Sequence, residues 1–194
     1  MANDQKTQFT SDVIIVDAAY LNFVARDMRG YYSNRLGRAV EPLDLQNFLP
    51  CAVLDALQDE APQDRMVIFV YDKKSCSMSD CNPSDIAAEL DGKAFRTKWG
   101  EFQLLGVCSE NFVSAEELFA DLLTIVADSD SAKRIVTIAP DESLGEKIEK
   151  IASDAQGKEI VRMVMMQPEE GRSARQVVLA YPMLMGIGIR GDEL

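Results

Sequence analysis

The sequence predicts one α/β domain, a three-layer α/β/α sandwich with a mostly parallel central sheet. Three observations carry that expectation. Continuous apolar runs at residues 13–16 (VIIV), 66–71 (MVIFVY) and 134–139 (RIVTIA) lack the alternation of a half-exposed strand, as parallel strands covered on both faces do. Stretches with apolar residues at helical spacing separate them, and strand-helix alternation of this kind builds parallel sheets. The chain of 194 residues, 47% hydrophobic, is long enough for one filled core and has no internal repeat, low-complexity tract or linker.

In chain order, residues 1–11 are polar and expected to be flexible, and residues 13–16 form the first strand. A helix follows over residues 19–29, with Leu21, Val24, Ala25 and Met28 on one face and Gly30 expected to break it. Residues 43–57 form a second helix, opened by Pro42 and expected to kink or divide at Pro50. After the second strand (66–71), the polar stretch DKKSCSMSDCNPS is a loop, and a short helix from Pro83 or Ser84 runs to Leu90. Asp91-Gly92 is a turn and residues 101–107 a third strand. Ser114, with Glu117 three residues later, has the signature of a capping box for a helix reaching Asp128. The fourth strand (134–139), a helix carrying Leu144, Ile148 and Ile151, and a fifth strand (159–165) complete the alternation. Residues 176–194 are a closing segment in which VVLAYPMLMGIGI reads as a helix broken near Pro182 or as two short strands. Its apolar character also suits a homodimer contact.

Composition excludes several chemistries. The chain has no histidine, which removes Ser-His-Asp and Cys-His triads and HExxH metal sites. Four cysteines fit a reducing compartment, and Cys76 and Cys81 are spaced too widely for CxxC. No run is long enough to span a membrane and no signal-peptide segment stands at the start, so the expectation is cytoplasmic. The formal charge of −12 disfavours a general nucleic-acid binder without excluding a local basic patch. No GxxxxGK[ST] or GxGxxG is present.

The acids at strand ends are the candidate site. Parallel sheets bind ligands at the C-terminal ends of their strands. Asp17 follows the first strand, Asp72 the second and Asp141 the fourth, while Glu117 and Asp121 share a face of the helix beginning near Ser114. Together they have the oxygen ligands that magnesium or manganese needs. The alternative is that Asp17 and Asp141 cap the helices that follow them.

VIIVDAAYLNF resembles the opening of PIN-like and NYN ribonuclease domains, placing that family's aspartate on Asp17 and its asparagine on Asn22. IVTIAPDES is similar to its later strand and acidic motif, placing one aspartate on Asp141 and Ser143 where a second would stand. Pro140 replaces a glycine, and Glu116, Glu117 and Asp121 compete for the middle acid. The resemblance implies a PIN/NYN-like fold and metal-dependent phosphodiester hydrolysis, with Asp17, Asp141 and a helix acid as ligands and Asn22 orienting water or phosphate. Over nearly its whole length the chain also resembles a small uncharacterised family of Bacteroides-type gut bacteria, through VDAAY, LDLQNFLPCAVLDA, LDGKAF-x4-GEF and GIGIRGDEL.

For an RNA partner, Arg26, Arg29, Arg35 and Arg38 supply charge, and Tyr31 and Tyr32 supply stacking surfaces. These arginines equally suit a solvated helix face. Lys93, Arg96 and Lys98 around Phe95 and Trp99 read either as a binding loop or as packing at a sheet edge. Three functions follow: a metal-dependent ribonuclease, a binding or regulatory module without robust catalysis, contacting RNA or protein, and a structural domain whose acids are only caps. The second is preferred, because Ser143 stands where the resemblance calls for an acid.

Overall fold

The computed structural model describes residues 8–110 and 113–194. A seven-stranded sheet forms the centre. Its strands are β1 (Asp12–Asp17), β3 (Arg65–Tyr71), β5 (Lys93–Thr97), β6 (Gly100–Cys108), β7 (Arg134–Ile138), β8 (Glu159–Val164) and β9 (Arg175–Val178). The order is β5-β6-β3-β1-β7-β8-β9, and every pairing is parallel except β5 with β6. A two-stranded parallel pair, β2 (Leu43–Asp44) and β4 (Cys81–Asn82), lies apart.

Strand β1 is buried along its whole length, which explains its continuous apolar run. Its side chains alternate between two cores. Ile14 and Val16 face the layer of α1 (Ala18–Leu36), α2 (Leu45–Leu57) and α5 (Ala180–Gly186), while Val13 and Ile15 face α3 (Ala115–Ala127) and α4 (Asp141–Asp154). At the opposite end of the sheet from the candidate acids, buried Asp12 accepts two 2.7 Å bonds from Arg134 and lies 3.4 Å from Arg65, tying β1, β7 and β3.

Several boundaries differ from the sequence reading. Helix α1 continues through Gly30, because Tyr32 and Leu36 pack against the core, and it stops at Gly37, whose φ of 64° is left-handed. Helix α2 is continuous through Pro50 and begins at Leu45, with the Asp44 side chain accepting from Gln46 and Asn47. The helix expected from residue 83 or 84 is a π-helical turn, Ile86–Leu90. Lys93–Thr97 is an edge strand, so the aromatic stretch is packing: Phe95 stacks on buried Phe102 at 5.0 Å. Pro182 does not break α5. It lies in the first turn, where an N–H has no intrahelical acceptor to lose. Of the stretch expected to be flexible, residues 1–7 lie outside the described residues. Ser11 is tied in, its carbonyl accepting from Lys133 and Arg134.

No helix among the described residues is long and apolar enough to cross a membrane.

Candidate functional site

The chain runs outward from β1 to β3 and β6 on one side, then crosses to β7, β8 and β9 on the other. The reversal therefore lies between β1 and β7, where doubly wound sheets open their ligand crevice. Val16 pairs with Ile138, so Asp17 emerges at the same level as the turn that leads to Asp141. Both principal candidates flank the switch point.

Their environments differ. Asp17 is 5% exposed and caps α1 by accepting from the Tyr20 backbone N–H at 2.9 Å. Burial pushes its carboxyl above the usual range, the backbone bonds oppose that shift, and nearby Glu116 and Asp72 add to it. Asp141 is not a cap, because Pro140 occupies that position and Asp141 is the first residue of α4. Its carboxylate is paired with Arg162 of β8 instead.

Arg162 is 6% exposed, and it also reaches Glu149 at 3.2 Å. Its guanidinium lies beneath Gly145, where an added Cβ would come within 2.9 Å of Nη2. Asp141, Gly145 and Glu149 recur every four residues, so the arginine runs along one face of the helix between two carboxylates. Glu149 further accepts from the Ser173 N–H at 2.9 Å, joining α4 to the chain before β9. The set is a clamp that fixes α4 on the sheet. The Tyr20 phenol is pushed up to about 12 by burial and by Asp141 and Glu142.

The remaining candidates are spread out. Asp72 folds back on its own loop, accepting from the Lys74 and Ser75 N–H groups at 2.9 and 2.8 Å and from the Ser75 hydroxyl, which holds its carboxyl below the usual range. Glu117 completes the capping box with Ser114, as its spacing predicts. Asp121 and Ser143 are exposed. The Asn22 side chain accepts from the Asp80 N–H at 2.8 Å and so anchors a loop. Among the described residues no three acidic, cysteine or histidine side chains are arranged to hold a metal ion. As placed, the acids do not fit magnesium or manganese, since Asp141 is paired with Arg162 and Glu117 caps its own helix.

The basic cluster is also committed. Arg29 pairs with Asp80, Arg38 with Glu193 at 2.6 Å, and Arg35 donates to the Leu194 carbonyl at 2.9 Å. Tyr32 is half-buried and meets Tyr31 edge-on at 5.0 Å. Arg26 alone of the four makes no hydrogen bond or ion pair among the described residues; it lies 5.6 Å from the Phe23 ring centroid.

Sequence reasoning missed Arg162, Glu149 and Tyr20. The one signal for the clamp is an arginine inside the apolar strand EIVRMV, since a buried guanidinium requires acidic partners.

An open groove of about 670 Å³ runs along α1, with Met165 and Ala180 completing its lining. The closing segment is anchored by buried Leu179, Met183, Ile187 and Ile189, while Val178, Tyr181, Met185 and Leu194 are exposed, as is Met166.

Fold and site together define a doubly wound α/β domain whose strand-end acids are held by its own backbone and by a buried arginine. Residues 6–194 match the family of unknown function DUF6621, and the chain belongs to that family. No curated protein and no solved structure gives a significant match.

Proposed function

We propose that the chain is a binding module on a divergent PIN/NYN-like scaffold, in which the acids at the switch point serve the fold and metal-dependent hydrolysis is lost. The observation that carries this reading is the clamp: Asp141 pairs with Arg162, which is buried and also bound to Glu149. A carboxylate held against a guanidinium must give up that pairing to coordinate a cation, and the arginine's positive charge repels the ion. The favoured partner is protein. Three of the four arginines that would meet RNA are engaged internally, and Phe23, Tyr31, Tyr181 and Met166 are exposed.

Asp17 favours a second reading, a divalent-metal-dependent ribonuclease. It is a buried carboxyl at the switch point with Glu116 and Asp72 in electrostatic reach, and such perturbed groups gather at active sites. A time course on mixed-sequence single-stranded RNA with magnesium or manganese separates the two, with Asp17→Asn protein purified in parallel. The binding reading expects no cleavage above that of the variant. Robust turnover that disappears with Asp17→Asn would establish the ribonuclease instead.

A further inference from the structure

Helix α1 carries an outward strip that the fold does not use. Phe23, Arg26, Asp27, Gly30, Tyr31 and Asn34 are all exposed and all line the groove, with buried Met28 at its floor, while Leu21, Val24 and Ala25 on the other side are buried in the core. Phe23 and Tyr31 are 54% and 56% exposed, more than large aromatic side chains normally leave in water. Neither Arg26 nor Asp27 has an ion-pair partner among the described residues. Gly30 stands mid-helix with helical backbone, and a Cβ added there would meet nothing within 4 Å. Neither a turn nor internal packing requires this glycine, although glycine is a poor helix former.

We propose that this strip docks antiparallel against the same strip of a second copy of this chain. The inference rests on the binding-module reading and names its partner. The helix is self-complementary in one register. Placing the two-fold axis between residues 26 and 27 sets Arg26 opposite Asp27 of the second copy, and Asp27 opposite its Arg26. The same axis sets Phe23 opposite Gly30, because that pair straddles the same midpoint. Each Phe23 ring then has a Cβ-free surface to cover, and each free charge gains an opposite one. An isologous contact repeats every pairing twice, as closed two-fold dimers do. Small residues where helices cross permit close approach, and ridges of large side chains fill the gaps that they leave. The partner strip must carry both an acid and a base at adjacent positions beside an aromatic ring and a gap. This chain supplies that surface itself. This register places the homodimer contact on α1 rather than on residues 176–194, whose Leu179, Met183, Ile187 and Ile189 are buried in the chain's own core.

Sedimentation velocity on the full chain tests the register. Wild-type protein is expected to show a concentration-dependent monomer–dimer equilibrium in the micromolar range. Arg26→Glu and Asp27→Arg each place like charges opposite one another twice, and each is expected to weaken the dimer by roughly 100-fold. An equimolar mixture of these two variants is expected to dimerise again, because each acidic position of one then faces an arginine of the other. Gly30→Leu is expected to abolish the dimer while leaving the thermal midpoint of the monomer equal or higher, which separates a blocked contact from a damaged fold. Monomeric wild-type protein throughout that range would overturn the proposal. So would a dimer that survives all three substitutions, or a mixture of the charge variants that stays monomeric. Turnover in the RNA time course would refute the binding-module reading by a different measurement.

Discussion

Replacing Asp141 by asparagine discriminates between a clamp and a metal ligand, because the two roles give stability changes of opposite sign. Arg162 is the buried member of the pair, with 7% of its side chain exposed, whereas Asp141 is 38% exposed. Removing one partner of a fully buried pair costs about 3–5 kcal/mol. Three features reduce that figure here. Solvent screens the exposed carboxylate, Glu149 remains 3.2 Å from the guanidinium, and the asparagine amide still offers an oxygen. The expected loss is about 1–2 kcal/mol, at the low end of what a hydrogen bond to a charged group contributes. For a domain of this size that lowers the melting temperature by about 2–8 °C. Thermal unfolding at neutral pH, followed by circular dichroism, reads it directly. The same substitution in an Arg162→Met background should change little, because the pair no longer exists to be broken. A carboxylate repelled by neighbouring acids would instead be relieved by the change. An unchanged or raised melting temperature for Asp141→Asn would therefore refute the clamp.

Asp17→Asn should act in the opposite direction. Burial raises the folded carboxyl above its unfolded value, so the ionised aspartate destabilises the fold as pH rises through that interval, and asparagine still caps α1. The variant should melt higher than wild type at pH 7, with the gain vanishing below the unfolded carboxylate range; a lower melting temperature at pH 7 would contradict this. Gly186→Ala should loosen α5 from its seat by about 1–3 kcal/mol, since the new Cβ would lie 2.5 Å from Leu43 Cδ1 and 2.9 Å from Phe48 Cβ; a neutral result in urea unfolding would contradict that packing. Thiol titration of native protein at pH 8 should label Cys76 and Cys108 quickly, both being exposed, and Cys81 only on unfolding, because burial and Asp80 push its thiol up to about 12.

The strands were legible because β1, β3 and β7 are buried on both faces, so apolar residues dominate them without the alternation of a half-exposed strand. The capping box at Ser114 was equally plain, since all its partners lie within four residues. Strand β5 was not, because KAFRT carries exposed charges along a sheet edge and has no buried-strand pattern. The length of α1 was hidden by Gly30, whose local penalty is outweighed by tertiary contacts at Tyr32 and Leu36. At the site, spacing correctly offered capping as a role for Asp17. It offered only capping or metal binding for Asp141, whose actual partner is 21 residues away. The arginines were misleading for the same reason: Arg29 finds Asp80 and Arg38 finds Glu193 only after folding. Pairings made by topology leave no periodic trace in the chain.

Manganese titration of the wild-type protein by isothermal calorimetry tests most directly whether the acids at the switch point belong to the fold. With Asp141 held by Arg162 and Asp17 by the start of α1, the expected result is no saturable uptake up to millimolar metal. Stoichiometric uptake that is abolished by Asp17→Asn and by Asp141→Asn alike would contradict the account, since it would require both carboxylates to converge on one ion.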